Sequence, residues 1–331
     1  MAITPMMQMY LETKEKYSDC ILFYRLGDFY EMFFDDAITC SRELELTLTG
    51  KDCGLEERAP MAGIPHHAVN TYIPKLVEKG YKVAICEQLE DAKQAKGIVK
   101  RDVVKIVTPG TITELTMLDD KKNNYVASVN YEKNNCAIAF CDISTGAFFV
   151  SSVSGIDVDS KMRNEIARIL PSEIVVQDGI KANVFLSKKI DRDFDIYISK
   201  FNNLEENVIL KNILENNNIS LTNLEIDACN LLLNYVEDTQ KTSINQINNI
   251  EKYQVERYMQ LDISTRKNLE ILEANREKTK KGSLLWVLDE TVTAMGARAL
   301  RHWLEAPLLS KEEIIKRQEV VEILVNNNIY R

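Results

Sequence analysis

The sequence predicts a multidomain α/β protein: an N-terminal mixed-sheet α/β domain, a second α/β domain, and then the start of an all-α region. Three observations predict it. Strand and helix patterns interleave from residue 5 to Gly110. Three consecutive strand patterns then lead into alternating helices and strands over about 124–245. Beyond about 264 the strand signals fade and apolar residues recur at helical spacing. The 331 residues leave room for two or three domains at roughly 100–200 residues each. With 45% hydrophobic and 27% charged residues, 12 Gly and 7 Pro, the chain lies outside the collagen-like and disordered classes.

The first helix starts at Thr4-Pro5, a capping residue followed by the imino acid that suits the first helical position, and carries Met6, Met9, Tyr10 and Tyr17. Cys20–Leu26 is aromatic and branched and reads as a strand, broken by Gly27-Asp28. A helix is expected from there to Leu44, then an alternating strand, Leu44–Thr49. Pro60–Ala68 reads as a rigid loop leading into a helix over 67–79 that stops before Gly80. Tyr81–Cys86 and Val99–Val107 read as strands, and Pro109-Gly110 punctuates their end. In the second unit the strands are Tyr125–Asn130, Cys136–Ile143, Gly146–Val153 and Glu173–Gln177. Its helices are Ser160–Leu170, 204–216 and 223–238. The helical pattern at Glu312–Arg331 has no stop signal, which predicts continuation in a longer parent.

Charge and cysteine usage narrow the function classes. Against 50 acidic residues stand 41 basic ones, a net charge of −9, so bulk electrostatics does not announce a nucleic-acid or membrane-surface binder. No apolar run approaches the ~20 residues of a membrane span, and the N-terminus lacks the pattern of a secretory signal. The seven cysteines are scattered without a C-x-x-C pair, which predicts reduced, mostly buried thiols in a cytoplasmic protein and no structural zinc.

Phe29-Tyr30-Glu31 follows Gly27-Asp28 at an expected strand-to-helix junction. There an aromatic ring can wedge into a base step, and a carboxylate can hydrogen-bond a base edge. Core packing is the simpler reading of the residues alone. His66 and His67 open a helix and can donate to phosphate; adjacent histidines on a helix diverge, which argues against a two-histidine metal site. Lys93, Lys96, Lys100, Arg101 and Lys105 surround a single acid, Asp102, and form either a phosphate-tracking patch or a solvated hairpin. Asp142 precedes a Gly turn and reads as a turn former, since no further carboxylates converge on it in the sequence. Phosphate-loop, dinucleotide and nucleophile-elbow signatures are absent.

Taken together, several segments resemble the bacterial MutS family, DNA mismatch-recognition ATPases. They are Phe23–Phe33, Pro60–Ala68, Val83–Gln88, Val104–Thr111, Asp142–Gly146, Leu261–Glu270 and Leu288–Leu304, in the family's order across nearly the whole chain. The resemblance implies a mismatch-binding domain at 1–115, a ribonuclease-H-like connector at 124–245 and the beginning of a helical core and lever domain at 255–331. It reverses the reading of the aromatic motif: Phe29 stacks on a mispaired base and Glu31 hydrogen-bonds it. Lys100, Arg101, Lys105 and His67 are the expected backbone contacts. The family's ATP and Mg²⁺ site lies beyond residue 331, so no cofactor and no catalytic or metal-ligating residue is expected here. Mismatched double-stranded DNA is the implied partner. A homodimer and docking of a MutL-type repair partner on the connector belong to the full-length family, in a cytoplasmic, nucleoid-associated setting. A metal-dependent nuclease and a pure protein-interaction fragment are the alternatives.

Overall fold

The computed structural model describes residues 3–54, 56–90, 99–114, 117–178, 196–217 and 219–327. It contains two six-stranded mixed sheets followed by a helical region.

Helix α1 (Pro5–Lys16) leads into strand β1 (Cys20–Leu26). A tight turn with Gly27 at φ +60 returns the chain as β2 (Phe29–Phe33), and only then does α2 (Phe34–Leu44) begin. The helix expected directly after Gly27-Asp28 is therefore preceded by a strand. The reason is the alternation of Phe-Tyr-Glu-Met-Phe: Tyr30 and Met32 enter one core while Phe33 enters the other. Leu44 belongs to α2, which stops where Glu45 turns left-handed, so the strand expected at Leu44–Thr49 shrinks to β3 (Thr49–Lys51). The segment read as a loop forms β4 (Ala59–Pro65), and its two prolines sit near the strand's ends, where a missing N–H is tolerated. A 3-10 turn (His66–Ala68) and α3 (Val69–Val77) follow, and Gly80 at φ +83 stops the helix. Strands β5 (Lys82–Gln88) and β6 (Arg101–Val107) complete the order β3-β4-β2-β1-β5-β6. Met7 and Tyr10 of α1 cover one face; Ala37, Cys40 and Leu44 of α2 and Ile73, Leu76 and Val77 of α3 cover the other.

The second sheet runs β11-β10-β7-β8-β9-β12. It is built from β7 (Val126–Glu132), β8 (Asn135–Asp142), β9 (Ala147–Ser154), β10 (Glu173–Val176), β11 (Tyr197–Lys200) and β12 (Glu251–Lys252). Helix α4 (Val158–Ile169) covers one face. Helices α5 (Val208–Asn217) and α6 (Asn223–Gln240) cover the other, and α6 is started by a Thr222–Glu225 capping box. Tyr253, Val255, Tyr258, Ala306 and Leu308 also enter the α4-side core, so the segment after β12 is packed onto this sheet. Helices α7 (Ile263–Asn268), α8 (Leu284–Leu288), α9 (Ala294–Glu305) and α10 (Lys311–Asn326) follow. Leu269 and Leu272, read as helical, fall in turns where Glu270, Lys278 and Gly282 have positive φ. All seven cysteines are buried and free. Among the described residues no helix is long and apolar enough to cross a membrane.

The two sheets meet at Thr108–Thr111, just after β6. Glu173, fully buried, accepts hydrogen bonds there from the Thr108 hydroxyl (2.5 Å), the Gly110 N–H (2.9 Å), the Ser199 hydroxyl (2.5 Å) and the Tyr235 hydroxyl (2.5 Å). Gln240 Nε2 donates to the Thr111 carbonyl (2.9 Å) beside them.

Candidate nucleic-acid interface

Strand β2 projects Phe29, Glu31 and Phe33 on one face by its period of two. Phe33 is fully enclosed beneath α1, whereas Phe29, at the far end of the strand, is 48% exposed. Its neighbours in the sheet are Leu26 on β1 and Pro65 on β4. The next row holds Tyr24, Glu31 and Gly63. A Cβ on Gly63 would stand 3.8 Å from Glu31 Cγ and 3.9 Å from the Phe29 ring, so any longer side chain there would crowd both. The β2–β4 pairing thus brings together two motifs separated by some thirty residues of sequence.

The hairpin tip is pinned from β4's end. The His66 N–H donates to the Asp28 carbonyl (2.9 Å), and His66 Nδ1 lies 3.2 Å from the same oxygen. His67 is exposed, its ring edge-on to that of His66. On the opposite face, the Tyr30 hydroxyl donates to Glu87. Burial first, and then that carboxylate, push the Tyr30 hydroxyl well above the ordinary tyrosine range.

Glu31 has a partner that no sequence signal nominates. Lys51 Nζ lies 2.5 Å from Glu31 Oε2 and 5.6 Å from the centre of the Phe33 ring. Lys51 and Glu31 are 31% and 17% exposed. No hydrogen bond to Glu31 Oε1 is present among the described residues. A lone lysine in a polar loop carries no recognisable signal; only the pairing of β3 with β4 brings it to this face.

The basic residues fare unequally. Arg101 reaches the same end and face of the sheet, its guanidinium 5.4 Å above the Tyr24 ring, but its Nε and Nη1 donate to the carbonyls of Arg25 and Val99 (both 2.8 Å). Lys100 is exposed, and its backbone N–H, not its ammonium, is held by Glu90 Oε1 (2.8 Å). Lys105 is four residues farther along β6, about 13 Å at strand rise. It donates to the Thr113 hydroxyl (2.8 Å) and Glu114 Oε1 (2.6 Å). Burial alone would raise the Glu114 pKa, but the Lys105 contact wins and holds it below the usual carboxylate range. The structure therefore groups Phe29, Glu31, His67, Lys100 and Arg101 at one end and leaves Lys105 elsewhere. Lys93 and Lys96 lie outside the described residues.

Asp142 is a buried turn former: its Oδ1 accepts from the Ser144 N–H (2.9 Å) and hydroxyl (2.6 Å). Among the described residues no three His, Cys, Asp or Glu side chains form a group that could hold a metal ion. The Phe29 end of the sheet has a different capability. It offers a projecting ring that can stack on a flat aromatic group, and beside it an acceptor for an N–H donor. Cations at its margin suit an anionic ligand.

Comparison with known proteins matches residues 4–116 to MutS domain I, 124–251 to MutS domain II and 264–331 to MutS domain III. The chain is 52% identical to the DNA mismatch repair protein MutS of Ruminiclostridium cellulolyticum, over 99% of this chain and 38% of that relative. It is likewise 52% identical to the MutS proteins of Clostridium novyi (99% of this chain, 36% of the relative) and Clostridium tetani (99% and 37%). The chain thus spans a little over a third of the length of these curated relatives.

Proposed function

Because the chain belongs to the MutS family, we propose that it recognises mispaired or looped-out bases in duplex DNA, with Phe29 as the wedge and Glu31 as the hydrogen-bond acceptor. The observation that carries this reading is the exposure of Phe29: an aromatic side chain on a paired strand, 48% open to solvent, while the other aromatic residues of its strand are enclosed. A mispair stacks and pairs poorly. Inserting a ring there costs less than in perfect duplex, where unstacking a step costs a few kcal/mol. The ring therefore reads deformability, and Glu31 favours duplexes that present an N–H in reach. The test is competition between a homoduplex and a single G·T heteroduplex at fixed salt. A heteroduplex preference of the 331-residue chain supports the reading, and equal binding sinks it.

Backbone contact falls to Lys100 first, whose ammonium has no competing protein acceptor among the described residues, with His67 beside the hairpin tip. Lys100→Ala is expected to weaken matched and mismatched duplex alike and to shallow the log-log salt dependence by about one unit. Arg101→Ala should have a smaller effect on that slope, since its guanidinium already serves two carbonyls. Lys105→Ala should change the slope least. Equal slope losses for Lys100 and Lys105 variants would contradict this ranking.

Mismatch repair in the cytoplasm, assembly as a homodimer and docking of a MutL-type partner through the second sheet's domain complete the proposal for the longer protein. ATP hydrolysis is assigned to the part of the family's length that this chain does not span. Without a phosphate loop, the backbone cradle and lysine that position the β- and γ-phosphates are missing from this sequence. Purified chain should therefore release phosphate from ATP no faster than a mock preparation; clear turnover above that background would refute the assignment.

A further inference from the structure

We propose that Lys51 is a specificity-determining residue: by holding Glu31 Oε2 in an ion pair on the exposed end of the first sheet, it cancels the carboxylate's charge toward matched DNA and leaves Oε1 to the base. The proposal rests on the reading that this face meets duplex DNA.

The geometry supplies both halves of the argument. The ring of Phe33, enclosed under α1, lies 5.6 Å from the Lys51 ammonium and attracts it as a cation over an aromatic face. The ammonium then lies 2.5 Å from Glu31 Oε2, one strand position pair from the exposed Phe29. Held in this way, Lys51 is not available to a phosphate, so perfect duplex gains nothing from it. Glu31, in turn, approaches the phosphates as part of a neutral pair, which removes most of the repulsion a lone carboxylate would meet. What remains is an oriented acceptor, Oε1, which benefits only a duplex that presents an N–H donor.

The pair predicts that the two residues are energetically coupled. Glu31→Gln keeps an acceptor of the same shape but releases Lys51, which then becomes a sequence-blind cation beside the backbone. One additional phosphate contact steepens the salt dependence by about 0.9 in log-log slope, or about threefold to fourfold in affinity between 50 and 200 mM salt. If Glu31 acted by repulsion alone, its neutralisation would help equally whether or not Lys51 were present.

The experiment is a double-mutant cycle in the 331-residue chain: wild type, Glu31→Gln, Lys51→Ala and the double variant. Each is titrated by fluorescence anisotropy with a homoduplex and a single G·T heteroduplex between 50 and 200 mM salt. The homoduplex affinity of Glu31→Gln relative to wild type should rise about threefold to fourfold on going from 200 to 50 mM salt, a slope steeper by about 0.9. Adding Lys51→Ala should abolish this change. Lys51→Arg, which preserves the charge and the carboxylate contact, should retain the wild-type preference and checks that the position tolerates substitution. The proposal is overturned if Glu31→Gln steepens the slope equally with and without Lys51. A wild type without heteroduplex preference would instead defeat the reading of the face as a mismatch site, while the homoduplex slopes would still decide the coupling.

Discussion

Phe29→Ala is expected to remove the preference for mismatched over matched duplex. A base–aromatic stack is worth roughly 1–3 kcal/mol, about tenfold or more in affinity. That gain is realised only where the duplex opens cheaply, so its loss falls on the heteroduplex and leaves homoduplex binding nearly untouched. Folding should be unaffected, because the ring is 48% exposed and stands outside both cores of the first sheet. Phe29→Tyr keeps a stacking face and should retain most of the preference, whereas Phe29→Leu keeps apolar bulk and loses the stack. Competition between homoduplex and a single G·T heteroduplex at fixed salt reads all three. If Phe29→Ala keeps the wild-type ratio, the wedge assignment is wrong, whatever happens to overall affinity.

The elements legible in sequence were those with a strong local signal. Strand β1 is an unbroken aromatic and branched run, α1 begins at Pro5, and Gly80 marks the end of α3. Strand β2 is not legible because Tyr30, Met32 and Phe33, divided between two cores, look as apolar as a helix start. Strand β4 is hidden in the sequence because Pro60, Gly63 and Pro65 are turn residues by local chemistry; their place in a sheet is set by pairing with β2. Phe29 and Glu31 stood out through their motif, but their alignment on one sheet face depends on β2 being a strand. Lys51 was invisible, since its role exists only when β3 lies beside β4. Lys105 stood out as part of a basic cluster, yet Glu114 and Thr113 claim it. Composition reveals charge but not which charges are already partnered.

Glu173→Ala is expected to unlock the junction between the two sheets. The carboxylate is fully buried and receives four donors, from Thr108, Gly110, Ser199 and Tyr235. Burial, and then Glu173 itself, push the Tyr235 hydroxyl well above its ordinary range, so it remains a donor at every pH of interest. Truncation leaves these donors facing a void, at about 1–3 kcal/mol for each that finds no new partner. The three hydroxyls can rotate toward other acceptors, but the Gly110 N–H cannot, so the net loss should be about 1–3 kcal/mol. Amide exchange at Gly110 should then rise by about one to two orders of magnitude, and the 108–111 segment should become sensitive to protease. Glu173→Gln should be much milder. With its carbonyl oxygen turned to Gly110 and Thr108, its amide meets the Ser199 and Tyr235 hydroxyls, which can rotate to accept. Gly110→Ala reaches the same junction sterically, because its Cβ would stand 2.8 Å from the Cβ atoms of both Glu173 and Val126, too close for either to yield without backbone movement. The order expected by hydrogen exchange and urea unfolding is wild type, then Glu173→Gln, with Glu173→Ala and Gly110→Ala least protected. A Gln variant as open as the Ala variant would show that the negative charge, and not the pattern of donors and acceptors, holds the two sheets together.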